Sequence, residues 1–123
     1  MKFVISMIMN PAVLDALTEE EKGALGAGHG RFIEEIKESG ELITTLALVD
    51  PSQAAVVTVR EGRQVVTDGP YLEAKEFLGG FYLIDVENRE RAVELASHIP
   101  DVAIEGLGVE VRQVMFSDGH LEA

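Results

Sequence analysis

Histidine 29 is the residue in this chain best suited to moving a proton near neutral pH, because imidazole ordinarily titrates in that range. Leu25, His29, Phe32, Ile33 and Ile36 recur at spacings of three and four. They therefore share one face of a helix, and an apolar helix face turns toward a sheet. The imidazole is predicted to point inward. It is either a core histidine satisfied by a backbone partner or an acid–base group at the rim of a cavity. Gly26, Gly28 and Gly30 surround it, and each costs on the order of 1 kcal/mol against alanine inside a helix. Such a cluster implies that a ligand, a loop or a strand comes close to that backbone.

Other candidates are weaker when taken alone. Asp68-Gly69-Pro70 has the chemistry of a turn: the aspartate can bond its own following backbone, glycine permits positive φ, and proline fixes the exit. Lys75-Glu76 reads as a solvated pair, and Tyr71 and Tyr82 as packing residues with a hydroxyl at the edge. His29, His98 and His120 have no partners at the usual ligand spacings, so no metal site is expected. The run Gly26 to Gly30 lies inside a helical pattern and not between a strand and a helix, so no phosphate loop or dinucleotide fingerprint is present and no cofactor is expected. With 0 cysteines the chain also lacks disulfides, thiolate nucleophiles and cysteine-based metal centres, which suits a reducing, cytoplasmic setting.

The elements that must hold these residues follow from periodicity. Phe3 to Met9 is a strand of β-branched and long apolar residues. A short helical turn spans Val13 to Leu17. Thr18 with Glu21 forms a capping box that opens the helix bearing His29, and Ser39-Gly40 closes it. Glu41 to Val49 and Ala54 to Arg60 read as strands, and Glu61-Gly62-Arg63 as a tight reversal into a short strand, Gln64 to Thr67. An exposed loop runs to Gly79, and Phe81 to Val86 resumes as a strand. Asn88 caps a second helix that Pro100 stops, and Val109 to Phe116 is the last strand. This is an α+β, ferredoxin-like βαββαβ order with an extra hairpin strand, in one domain spanning 1–123.

Two helices cover only one face of such a sheet. Val4 and Ile8 flank Ser6 on one side of the first strand, while Phe3, Ile5, Met7 and Met9 line the other. Both faces are apolar, so a homodimer through the open sheet face is expected. The net charge of −12 repels phosphate backbones and anionic lipid, which disfavours nucleic-acid and membrane-surface roles. Phe3 to Met9 is cut short by Asn10-Pro11 and is read as a buried strand, not a signal peptide.

The segment Val66-Thr-Asp-Gly-Pro-Tyr-Leu-Glu-Ala-Lys-Glu-Phe-Leu-Gly-Gly-Phe-Tyr-Leu-Ile-Asp85 resembles the signature of YCII-related proteins, specifically the DGPF-motif branch. His29 before Phe-Ile-Glu-Glu-Ile, the Asn88 to Ile99 helix and the closing Val-Glu-Val-Arg-Gln-Val strand also match, so the resemblance covers nearly the whole chain. Tyr71 stands where the motif usually has Phe. The resemblance implies a dimeric α/β barrel in which a helix histidine and a loop aspartate, here His29 and Asp68, form an acid–base pair. To that pair the turn chemistry adds Gly69 and Pro70, and substrate contacts from Tyr71, Lys75 and Tyr82 to a small molecule are expected beside what the resemblance implies. It further implies either cofactor-free, lyase- or isomerase-like chemistry on a small cyclic or aromatic substrate, or a ligand-binding or regulatory module that partners a sigma factor.

Overall fold

Alternation in β1 (Lys2–Met9) buries Phe3, Ile5 and Met7 on one face and leaves Val4, Ser6 and Ile8 half-buried on the other. In the computed structural model, which describes residues 1–69 and 75–119, the short helix α1 (Pro11–Ala16) follows. Asn10 caps α1, and proline occupies its first turn, where a missing N–H costs nothing. The capping box forms as expected at the start of α2 (Glu19–Glu38): the Thr18 hydroxyl accepts from the Glu21 N–H at 3.1 Å, and the Glu21 carboxylate accepts from the Thr18 N–H at 2.9 Å. β2 (Leu42–Ala47) leads through a 3₁₀ turn, Pro51–Gln53, to the hairpin of β3 (Ala55–Arg60) and β4 (Arg63–Asp68). Glu61 and Gly62 both take positive φ, 53° and 77°, which gives the close reversal its twist.

β5 (Phe77–Asp85), α3 (Arg89–Ala96), a 3₁₀ turn at Pro100–Ala103 and β6 (Gly108–Gln113) complete the chain. The main sheet has the order β2-β5-β1-β6 with every neighbour antiparallel, which is the ferredoxin-like arrangement. The core lies between this sheet and the helices, where Phe3, Ile5, Phe32, Ile36, Ile84 and Leu95 pack together. Arg91 at the start of α3 grips Glu41 beside β2 through two hydrogen bonds of 2.9 and 2.8 Å. The Arg91 guanidinium is the main cause holding the Glu41 carboxyl below its usual range, with Ser39 adding to it against the effect of burial.

Several boundaries differ from the sequence reading, each for a local reason. The segment Ala54 to Arg60 does not join the main sheet: β3 pairs with β4 in a separate two-stranded sheet, so the insertion is a whole hairpin. β5 begins at Phe77, not Phe81, because glycines 79 and 80 sit inside the ladder. A methyl at Gly80 would collide with the Leu46 carbonyl oxygen, so that crossing of β2 and β5 admits no side chain. α3 ends at Ala96, and the Ser97 N–H is shared among preceding carbonyls as the turn tightens. β6 stops at Gln113, leaving Met115 and Phe116 exposed. Among the described residues, no helix is long and apolar enough to cross a membrane.

Candidate functional site

The approach of α2 to the Pro100 turn sets the site. Gly28 is buried, and a methyl there would come within 2.8 Å of both Cβ and Cγ of Pro100. The bare backbone lets Pro100 nest against the helix, and that contact brings Asp101, the next residue, beneath His29. Gly26 and Gly30 face open space, so close approach explains one glycine of the three and not the other two.

Asp101 is fully buried, and its Oδ1 lies 2.6 Å from His29 Nε2. On the other side of the ring, Nδ1 lies 2.7 Å from the hydroxyl of Tyr82, a residue of β5 that is 2% exposed. The Tyr82 ring runs nearly parallel to the imidazole, at 12° and a centroid distance of 5.9 Å. It meets Phe32 edge to face at 4.9 Å, a packing that fixes where its hydroxyl points.

The proton positions follow from the partners. An ionised carboxylate can only accept, so Nε2–H donates to Asp101. In the neutral ring Nδ1 then accepts, and the Tyr82 O–H donates to it. The result is a directed chain from Tyr82 through His29 to Asp101. Burial, reinforced by the Asp101 charge, pushes the Tyr82 phenol up to about 12, so at neutral pH it keeps its proton. Among the described residues Asp101 Oδ2 has no hydrogen-bond partner, leaving the imidazole as the polar group there that meets this carboxylate.

A cleft of about 370 Å³ opens beside the ring, with Met7, Met9, Ile33, Thr45, His29 and Tyr82 among its walls. The Thr45 hydroxyl donates to the Phe81 carbonyl at 2.8 Å, which concentrates the cleft's reactive polarity at the His29–Tyr82 end. The imidazole is the half-open member of the chain, with a side-chain exposure of 25%. Such a space suits a small apolar molecule carrying one polar group.

The structure treats the residues named from the sequence unevenly. His29 points inward as its helical spacing implied, and Tyr82 joins it. The pairing with Asp68 is not the one this imidazole makes, since both ring nitrogens are engaged by Tyr82 and Asp101. Asp68 ends β4 as an exposed residue opposite Ala55, in the hairpin sheet, and does not line the cleft. Lys75 is exposed and likewise absent from the cleft walls. Gly69 has the positive φ, 95°, that a turn there requires, and its N–H donates to the Ala54 carbonyl at 2.7 Å. Pro70 and Tyr71 lie outside the described residues. His98 pairs with Glu35 at 2.7 Å on the surface. Among the described residues, no three His, Asp or Glu side chains gather as a metal site would need.

Asp101 is the residue sequence reasoning passed over. It follows the proline that ends a helix and so reads as an ordinary turn carboxylate. The available signal was its setting among Ile99, Val102 and Ile104, a lone charge in an apolar stretch.

The chain is 28% identical over 122 residues to the uncharacterized protein R00369 of Rhizobium meliloti (strain 1021), an alignment that covers 98% of each. The YCII-related domain family matches residues 1–117, and the chain belongs to that family.

Proposed function

We propose that this cleft performs cofactor-free acid–base chemistry on a small, largely apolar molecule, of the kind a cyclic or aromatic lyase or isomerase substrate represents. The observation that carries the reading is a buried carboxylate whose one side-chain hydrogen-bond partner among the described residues is an imidazole at the wall of an apolar cavity. Asp101 orients His29, takes the part first assigned to Asp68, and holds the positive charge that appears when the ring gains a proton. Met7, Met9 and Ile33 set apolar side chains beside the reacting group, which lowers the local dielectric and strengthens each polar contact there. The test is a turnover screen against cyclic and aromatic acids, phenols and lactones. His29→Gln and Asp101→Asn should each lose about 10²-fold or more in kcat while retaining the fold. Full activity in both variants would end the proposal.

A non-catalytic reading draws on the same hydrogen bonds. Both imidazole nitrogens are satisfied within the protein, as in a site that only holds its ligand or a module that regulates a partner such as a sigma factor. Recovery of a bound molecule chemically unchanged, with no turnover of it, would favour this alternative. We further propose a cytoplasmic homodimer that covers the half-buried Val4, Ser6 and Ile8 face. Light scattering at micromolar concentration reads the mass, and a monomer would refute that assembly.

A further inference from the structure

We infer that Tyr82, not His29, is the group that exchanges a proton with the bound molecule, and that His29 Nδ1 takes up the proton Tyr82 passes on while Asp101 holds the other side of the ring. The inference rests on the acid–base reading above and adds the direction of transfer and the ligand class. His29 Nε2 is held by Asp101 at 2.6 Å and Nδ1 by Tyr82 at 2.7 Å, so the ring has no free nitrogen to offer. The Tyr82 hydroxyl is different. It donates its one proton to Nδ1 yet keeps acceptor capacity, and Tyr82 lines the cleft.

The step balances without a cofactor. The ligand's O–H bond breaks and its proton passes to the Tyr82 oxygen, while the proton Tyr82 already carries passes to His29 Nδ1. The products are a ligand anion and an imidazolium paired with the Asp101 carboxylate. Tyr82 is again neutral, which its strong retention of a proton favours. The cleft walls fit an aromatic or enolic ring, and the surface charge of −12 repels ligands that arrive already ionised. The ligand class is therefore a weakly acidic phenol or enol that enters neutral and is deprotonated inside.

Para-nitrophenol tests this, because its phenol and phenolate absorb at different wavelengths and the ring nitrogens of His29 report their protonation by NMR. In the wild-type protein the bound dye should show a phenolate-to-phenol ratio about tenfold or more above that of free dye at the same pH, with His29 doubly protonated. Tyr82→Phe keeps the ring against Phe32, and its bound dye should remain the neutral phenol beside a neutral imidazole. His29→Gln retains the hydroxyl but removes the receiving nitrogen, and should also hold neutral dye. Phenolate and a charged ring in Tyr82→Phe would show that the imidazole reaches the ligand itself, overturning this inference while leaving the acid–base reading intact. Phenolate in His29→Gln would overturn the relay. Neutral dye in the wild-type cleft, or no binding there, would overturn the relay and the broader reading together.

Discussion

Replacing Tyr82 by phenylalanine removes one oxygen, and its effect on stability should change sign with pH. At neutral pH the hydroxyl is buried and donates to His29 Nδ1. Losing a neutral hydrogen bond of this kind costs about 1 kcal/mol, and the half-open imidazole can recover some of that from water. At alkaline pH a second effect enters. The phenol's proton release is raised from 10.0 to about 12 in the folded protein, chiefly by burial and then by the Asp101 charge. The unfolded chain ionises Tyr82 freely while the folded one resists. Stability is thus intact below the unfolded value and falls as pH climbs toward the folded one. The two-unit gap is worth about 2.7 kcal/mol in full, and about 1.4 kcal/mol of it is gone by pH 11. The phenylalanine variant has no such penalty. Effects of alkaline pH elsewhere in the chain are common to both proteins and cancel in the difference. Tyr82→Phe should therefore be the less stable protein at pH 7, equal to wild type at roughly pH 10.5 to 11, and the more stable beyond that. Urea unfolding of both proteins across that range measures the difference directly. A gap that stays constant from neutral to alkaline pH would refute the burial of this hydroxyl beside Asp101.

Three further outcomes follow from the packing. Gly28→Ala places a methyl 2.8 Å from Pro100 and should cost about 1–3 kcal/mol, whereas Gly30→Ala in the same helix meets nothing and should stabilise by up to about 1 kcal/mol; thermal melts of the two variants should move in opposite directions. Gly80→Ala drives its methyl into the Leu46 carbonyl, a backbone atom held in the β2–β5 ladder, and should cost about 3 kcal/mol or more by urea denaturation. Glu41→Gln removes the charge and one of the two acceptors that Arg91 uses, and should lower stability at pH 7 by about 1 kcal/mol; because the Glu41 carboxyl is held low in the folded state, the wild-type advantage should shrink as pH falls through that depressed value.

The order of elements was legible because each carried its own local signal. Thr18 with Glu21 opened the long helix, Asn88 capped α3, and alternation in Phe3 to Met9 separated the two faces of β1, though both looked apolar and only the structure shows that Phe3, Ile5 and Met7 meet the helices. His29 could be aimed inward from spacing alone. Its partners could not be read so easily, because Asp101 is 72 residues and Tyr82 53 residues away along the chain, and no local pattern encodes such a meeting. Asp68 was the more conspicuous carboxylate, since Asp-Gly-Pro advertises a turn, but conspicuous turn chemistry reports backbone geometry and not proximity to a helix face. Likewise, the three glycines near His29 look equivalent in sequence, and only the packing of Pro100 singles out Gly28.

Asp101 also bears on whether the histidine is there for packing or for chemistry. A core histidine needs only one neutral acceptor to be satisfied, and a backbone carbonyl would serve. This ring instead faces a fully buried carboxylate whose second oxygen has no partner among the described residues. Withdrawing such a charge from water costs several kcal/mol, and a single contact with a neutral imidazole returns only part of it, so an apolar or amide side chain would fold at least as well at that position. A proton on the ring would add a charge–charge attraction to that contact. A carboxylate placed this way serves the proposed proton transfer better than it serves packing, and Tyr82, a wall of the cleft hydrogen-bonded to the ring, is the group through which such a proton would pass.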